Sequence, residues 1–137
     1  MMRKFIVSSA LLLCMIGGSA FVQSYDLPKS MTRGKELYVT YCQNCHMEDG
    51  KGVAGAFPPL AKADFLKKQP VNSIITILLK GQSGEITVNG AKYNTPMMGL
   101  DYLTDEQVAD ILNYTYNSWG NKSAKAVTPA QVKKARQ

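Results

Sequence analysis

The stretch Cys42-Gln43-Asn44-Cys45-His46 determines how the rest of this 137-residue chain is interpreted. Its two thiols are separated by two residues, so both can reach the two vinyl groups of one porphyrin from a single bend. The imidazole that follows can lie under the same ring and bind its iron. The order C-x-x-C-H is the attachment signature of a c-type haem. We therefore expect one covalently bound haem c with its iron, attached through Cys42 and Cys45 and ligated by His46.

Two other chemistries use closely spaced cysteines, and neither suits this chain well. A thioredoxin-like redox pair lies at a strand-to-helix turn of a βαβ pattern, and no such pattern surrounds Cys42. A zinc site usually has four side-chain ligands, whereas His46 is the only histidine in the chain. A zinc or dithiol protein is still a distinct alternative. It is tested by whether haem stays with the chain under denaturing electrophoresis.

Residues 1–24 have the composition of a secretory signal peptide. A basic pair near the start is followed by apolar residues at 5–16 and by small residues at 17–20. Cleavage is expected after Ala20 or Ser24. Export fits the haem motif, because c-type haem is attached on the outer side of the bacterial cytoplasmic membrane, and the expected location is therefore the periplasm. The alternative is an uncleaved leader that anchors the protein, since the extended apolar stretch is about long enough to cross a bilayer if tilted.

Removal of the leader changes both the cysteine count and the charge. Of the three cysteines, Cys14 lies in the leader, so the mature chain keeps only the two motif thiols and no disulfide is expected. The net charge of +6 falls to about +4 without the two basic residues of the leader. We expect redox protein partners with acidic docking surfaces, attracted by lysines that include Lys51, Lys62 and Lys92. Nucleic acid is not expected as a partner, because the basic tail lacks interleaved aromatic residues.

The residues before the motif predict a linker and then a helix. Residues 25–30 are expected to form the linker, and Ser30 or Thr32 to cap the helix. Gly34, Leu37, Tyr38 and Tyr41 recur at the spacing of one helical face. A glycine inside a helix lowers stability relative to alanine, and a close helix crossing would compensate for that cost.

The same helix carries a resemblance to a known family. The run Gly34-x-x-x-Tyr38, followed by C-x-x-C-H, resembles the N-terminal helix of class I cytochromes c, and the resemblance covers residues 31–121. It implies an all-α cytochrome c fold with three main helices around one haem and a small β-hairpin before an axial methionine. It also implies that the glycine and the aromatic ring pack against Tyr114 on the C-terminal helix.

The loop after the motif contains two residues that the resemblance places beside the haem. The run Phe57-Pro58-Pro59-Leu60 is similar to the family's Pro-x-Leu segment. In the family, the proline carbonyl accepts a hydrogen bond from Nδ1–H of the ligand histidine, which fixes the ring and raises its basicity. This implies that Pro58 orients His46 and that Leu60 packs on the porphyrin. The alternative is a rigid turn with a core leucine.

Two adjacent methionines are candidates for the second axial ligand. The family pattern places a tyrosine four residues before the ligand and a Leu-Ser/Thr-Asp run six residues after it. Tyr93 and the run that begins at Leu103 fit Met97 without a gap, whereas Met98 stands where the family usually has proline. The resemblance therefore implies that Met97 binds the iron, and such His/Met ligation raises the reduction potential of a haem. The alternative is that both methionines fill gaps in the core.

The remaining chain predicts several short elements. The first are a helical turn over 64–68 and a helix opened by Pro70 and ended by Gly81. A β-hairpin follows, with a type I′ turn at Asn89-Gly90. The last are a final main helix, with a Thr104–Gln107 capping box and Trp119 on its inward face, and a short helix from Thr128 to about Arg136. The basic tail at 122–137 either binds an acidic partner or is simply solvated.

The function implied by the resemblance is one-electron transfer in the periplasm, with His/Met axial ligation. The protein is then not itself an enzyme, although it could serve as the cytochrome subunit of an oxidoreductase. An alternative from another class is a haem-based gas sensor, or an enzyme with an open iron site. That alternative requires that neither methionine binds iron, and a visible spectrum distinguishes the two.

Overall fold

A computed structural model describes residues 25–137, and the predicted signal peptide at 1–24 lies outside these residues. The helices are α1 (Leu27–Tyr41), α2 (Gln43–His46), α3 (Asp64–Lys68), α4 (Val71–Lys80), α5 (Asp105–Tyr116) and α6 (Pro129–Ala135). The strands are β1 (Gly81–Gln82), β2 (Ile86–Val88), β3 (Ala91–Tyr93) and β4 (Met97–Met98). The prediction of an all-α fold with a small hairpin is confirmed. Within the described range, no helix is both long enough and apolar enough to span a bilayer.

Helix α1 begins earlier than the sequence analysis predicted. Its cap is Asp26, whose carboxylate accepts a hydrogen bond from the backbone N–H of Lys29 at 3.1 Å. The predictions that Ser30 or Thr32 caps the helix and that 25–30 is a linker are therefore wrong. Pro28 lies in the first turn, where a missing N–H costs nothing and the fixed φ suits a helix.

Helices α1 and α5 cross at a glycine, as the resemblance implied. A Cβ atom on Gly34 would lie only 2.0 Å from the carbonyl oxygen of Asp110 in α5, so only a glycine fits at this crossing. Next to it, the rings of Tyr38 and Tyr114 pack with their centroids 5.4 Å apart. This contact fixes the end of α1, and therefore the position of the cysteine motif that follows it.

A buried carboxylate joins the same two helices. Asp110 is 1% exposed and accepts hydrogen bonds from Ser30 Oγ at 2.6 Å and from Arg33 Nε at 2.6 Å. The O–H of Tyr25 also donates to it at 3.0 Å. A buried charge is tolerated when it is paired and hydrogen-bonded. In turn, hydrogen bonding to Asp110 raises the pKa of the Arg33 guanidinium.

Helix α4 supplies the apolar centre of the fold and leads into a strand pair that the sequence did not predict. Ile74, Ile75, Leu78 and Leu79 of α4 are buried. Gly81 ends the helix with φ of 84°, as predicted, and then pairs with Met98 in the antiparallel β1–β4 ladder. This ladder fixes the backbone of both methionines against the end of α4.

The predicted hairpin is present as strands β2 and β3. Its turn residues Asn89 and Gly90 both have positive φ, at 50° and 81°, as a type I′ turn requires. Asp64 ties the turn to α3, because its carboxylate accepts from the Asn89 N–H at 2.7 Å and its own N–H donates to Asn89 Oδ1 at 2.9 Å.

Helix α5 has the predicted start but ends sooner than expected. Thr104 and Gln107 form the capping box, in which each side chain bonds the backbone N–H of the other residue. The helix stops at Tyr116, so the prediction that Trp119 lies on its inward face is wrong. Trp119 instead has a φ of 52° and packs against Tyr38, with ring centroids 4.9 Å apart.

The basic tail packs on the domain. Val127 and Val132 are buried, and both the N–H and the carbonyl of Val127 bond the side chain of Asn113 in α5. The short helix predicted after Thr128 is confirmed as α6, with a Thr128–Gln131 capping box. The alternative in which this tail is simply solvated is therefore wrong.

Candidate haem site

The cysteine motif occupies the bend between α1 and α2. Cys42 is both the C-cap of α1 and the N-cap of α2. Its carbonyl accepts hydrogen bonds from the N–H of Cys45 at 3.2 Å and from the N–H of His46 at 2.9 Å. These bonds hold the three reactive residues on one tight turn. The bend therefore provides the close spacing that attachment of two thiols to one porphyrin requires.

The two cysteines lie in different environments. Cys42 is 8% exposed and belongs to the apolar core, whereas Cys45 is exposed. Burial raises the pKa of the Cys42 thiol to about 12, with a smaller contribution from the neighbouring Cys45. The folded chain therefore keeps the Cys42 sulfur uncharged and shielded from water.

His46 is buried and its ring orientation is fixed. Its Nδ1 lies 2.9 Å from the carbonyl oxygen of Pro58. A carbonyl can only accept, so Nδ1 carries the hydrogen and Nε2 keeps the lone pair that a metal needs. Burial lowers the pKa of His46, and the bond to Pro58 opposes that shift.

The loop after His46 is tied closely to the motif. The N–H of Gly52 donates to the His46 carbonyl at 3.0 Å, and a Cβ at Gly52 would lie 2.6 Å from the Pro58 carbonyl oxygen. The N–H of Leu60 donates to the carbonyl of Gly50 at 2.7 Å. Leu60 is half-buried and packs against the core cluster. These contacts hold the loop in one conformation, in which the Pro58 carbonyl faces the imidazole.

Three side chains that support this loop were not assigned to the site from the sequence. The O–H of Tyr38 donates to the Met47 carbonyl at 2.7 Å, and Nε1 of Trp119 donates to the Glu48 carbonyl at 2.9 Å. Asn121 donates to the Leu60 carbonyl at 2.8 Å. All three bonds go to backbone carbonyls, for which the sequence carries no pattern.

The two methionines face opposite sides of strand β4. Met97 is half-buried and packs against the core cluster, whereas Met98 is 84% exposed. Successive side chains of a strand alternate between its faces, so only one of two adjacent methionines can point inward. The inward residue is the one that the family register selected.

The donor set has the chemistry that haem c requires. Two thiols lie on one bend, a buried imidazole keeps Nε2 available, and an inward thioether lies on β4. Thiols attach to the porphyrin vinyl groups, while imidazole and thioether are the axial donors of low-spin cytochrome haems. A helical domain that carries the cysteine motif on one bend, with a buried and oriented histidine, fits the class of c-type cytochromes.

Comparison with known proteins places the chain within that class. The family model for cytochrome c matches residues 31–119. A cytochrome c-552 of Thermus thermophilus is 38% identical over 124 residues, which cover 85% of this chain and 83% of that protein. The chain therefore belongs to the cytochrome c family, whose members bind haem c covalently. It is an electron-transfer protein and is not itself catalytic.

Two further similarities concern larger or more distant proteins. The cytochrome c subunit of a quinone alcohol dehydrogenase from Gluconacetobacter polyoxogenes is 37% identical over 105 residues, covering 75% of this chain but 22% of that subunit. The c-type cytochrome XoxG from Methylobacterium extorquens AM1 superposes with a TM-score of 0.50 at 21% identity, covering 77% of this chain and 65% of that one. The second similarity supports the fold alone.

Proposed function

We propose that the chain is a periplasmic one-electron carrier with a single haem c, attached through Cys42 and Cys45 and ligated by His46 and Met97. The observation that carries the proposal is the bond between His46 Nδ1 and the Pro58 carbonyl at 2.9 Å, because it leaves Nε2 in the form that binds iron. The haem, when bound, supplies an iron that exchanges one electron with little change in geometry.

The protein's own residues keep the site fixed during that exchange. Pro58 holds the imidazole in one orientation and increases its basicity. Leu60 is proposed to contact the porphyrin from the same loop, and Met97 to contribute a neutral thioether from β4. Since a soft thioether favours the reduced iron, this ligand pair sets a higher potential than ligation without methionine.

Alanine substitutions at the two adjacent methionines test the axial ligand. Met97→Ala should convert the ferric haem towards high spin and open the ferrous haem to carbon monoxide. Met98→Ala is the matched control, because it removes an identical side chain that is 84% exposed. Unchanged spectra in both single variants and in the double variant would contradict methionine ligation and favour a gas sensor or an open iron site.

Intact-mass measurement of the purified protein tests the attachment and the processing. The mature chain should begin near Phe21 or Tyr25 and carry the mass of one haem through denaturation. Cys42→Ser or Cys45→Ser should weaken or abolish stable attachment. Retention of Met1 in a membrane fraction would favour an anchored protein, and a chain without haem mass would favour the zinc or dithiol alternative.

The proposed partners are redox proteins with acidic docking surfaces, among them the catalytic subunits of dehydrogenases. The three lysines expected to attract these partners differ in whether a neighbouring carboxylate already pairs with them. Lys51 is ion-paired with Asp49 and Lys92 with Glu85, each at 2.9 Å, whereas Lys62 makes no ion pair within residues 25–137. Exposed pairs partly cancel their own fields and are screened by salt.

The electron-transfer rate at different salt concentrations tests this docking. Opposite charges mainly accelerate encounter, so the bimolecular rate with a physiological partner should fall as ionic strength rises. Lys62→Ala should reduce the rate at low salt more than Lys51→Ala does. A rate that is indifferent to ionic strength would contradict an acidic docking surface.

A further inference from the structure

One arginine at the end of the chain binds the segment that follows the inward methionine. Arg136 Nε donates to Asp105 Oδ1 at 2.6 Å and Nη1 donates to the Asp101 carbonyl at 2.8 Å. Nη2 donates to the Leu103 carbonyl. A planar guanidinium has its donors in a fixed fork, so binding three acceptors at once fixes their relative positions. We call residues 97–104 the methionine segment.

Other contacts restrain the methionine segment at both ends. At its far end, Leu103 is buried in the core and Thr104 caps α5. At its start, two residues pair with β1, and the N–H of Leu100 donates to the Leu78 carbonyl at 2.9 Å. An open cleft of about 510 Å³ lies beside the segment, lined by residues that include Lys80, Gly99 and Arg136. The fork acts between the two restrained ends of the segment, on the carbonyls of Asp101 and Leu103, and joins both to the carboxylate of Asp105.

The position of Arg136 is set by the rest of the tail. Val132, one turn earlier on α6, is 0% exposed, and the capping box at Thr128 fixes the start of that short helix. Asn113 of α5 holds the preceding backbone at Val127 through bonds of 2.7 and 2.9 Å. The arginine is thus the C-cap of a docked helix, which limits where its guanidinium can lie.

We propose that Arg136 is a positioning residue for the axial thioether, which holds the methionine segment closed so that Met97 stays on the iron. The inference rests on the proposed ligation by Met97. An external ligand such as imidazole binds ferric iron only when the thioether has left. Its apparent dissociation constant is therefore inversely proportional to the fraction of molecules with an open segment.

Imidazole titration of the ferric holoprotein measures that fraction. Arg136→Ala should raise the open population and lower the apparent dissociation constant about tenfold, which corresponds to about 1.4 kcal/mol. Arg136→Lys keeps the charge without the fork and should give an intermediate value. Lys134→Ala removes an exposed cation from the same helix and should change nothing.

A second variant separates positioning from a general loss of stability. Ile75→Val lowers the stability of the core at a residue in α4 that is 0% exposed. It should reduce the melting temperature without changing imidazole binding. If Arg136→Ala binds imidazole as the wild type does, or no better than Ile75→Val at the same loss of stability, Arg136 does not position the ligand.

Amide hydrogen exchange tests the restraint independently of the iron ligand. The N–H groups of Leu100 and Leu103 should lose protection in Arg136→Ala and keep it in Lys134→Ala. Unchanged protection would overturn the proposal. An unchanged ferric spectrum of Met97→Ala and of the double methionine variant would instead show that the proposed ligation has failed, and the exchange data would then report the restraint alone.

Discussion

Replacement of Gly34 by alanine sets two effects on stability against each other. Helix propensity alone predicts that alanine stabilises α1 by about 1 kcal/mol. The crossing predicts the opposite, because the new Cβ would lie 2.0 Å from the Asp110 carbonyl oxygen and 2.8 Å from Cβ of Tyr114. Ordinary contact begins near 3.4 Å, so the helices would have to separate by about 1.4 Å.

The expected result is a net loss of stability. Overpacking costs about 1–3 kcal/mol. We take the upper value because the contacted atoms belong to a helix backbone, which cannot change rotamer to relieve the contact as a side chain can. Subtracting the propensity gain leaves about 2 kcal/mol, which lowers the melting temperature of a domain this size by about 10 °C. Thermal unfolding followed by far-UV circular dichroism measures this shift.

A neighbouring substitution provides the control for Gly34→Ala. Lys35 is exposed on the same helix, and Lys35→Ala should change the melting temperature little because both residues have high helix propensity. A Gly34→Ala variant as stable as the wild type, or more stable, would refute the close crossing of α1 and α5.

Three further predictions concern other polar and apolar contacts of the domain. Asp110→Asn should cost about 2 kcal/mol, less than a fully buried pair because the guanidinium partner is 43% exposed; Glu106→Gln, at the exposed partner of the same guanidinium, should cost almost nothing in the same urea titration. Val132→Ala should cost on the order of 2 kcal/mol, and an unchanged urea midpoint would show that α6 is undocked in solution. The pKa of Asp64 is lowered from its ordinary value of 3.8, mainly by the side-chain hydrogen bond from Lys68 and also by the hydrogen bond from the backbone N–H of Asn89. Its stabilising contribution is therefore present above pH 3.8 and lost as pH falls through the lowered value. The amide NMR signal of Asn89 should shift in that acid range, and Asp64→Asn should abolish the shift.

The elements that the sequence predicted well are those with a local chemical signature. Gly81 and the Asn89-Gly90 pair adopt positive φ, which few other residues tolerate, so their turns could be placed from sequence alone. Thr104 and Gln107 form a reciprocal cap that requires only residues three positions apart. The spacing of the cysteine motif is likewise a local property.

The elements that the sequence did not predict depend on partners far along the chain. Pro28 suggested a linker, although proline suits a first helical turn equally well, and the deciding contacts come from Asp110 about eighty residues away. The β1–β4 pair is too short to show an alternating pattern. The tail looked solvated because α6 contributes only Val132 to the buried residues, while its docking depends on the amide of Asn113.

The candidate haem site also contains some residues with a local sequence signature and others that only the folded chain brings together. Cys42, Cys45 and His46 form a contiguous motif, and the Pro58 carbonyl lies where the family resemblance put it. The supporting bonds from Tyr38, Trp119 and Asn121 all end on backbone carbonyls. Any residue type can supply a carbonyl, so only the folded chain reveals these contacts.

The burial of Cys42 has a consequence for the order of events in the life of the protein. The protein's own atoms leave only 8% of this residue exposed, whereas Cys45 stays open to solvent. A sulfur enclosed in this way is not accessible to a vinyl group until the chain opens around it. We therefore expect covalent attachment to precede complete folding, because a chain that closes early has to open locally before its haem can be attached. Maturation would then depend on keeping the chain open until its haem is attached, and the completed fold would shield the resulting thioether bond from solvent.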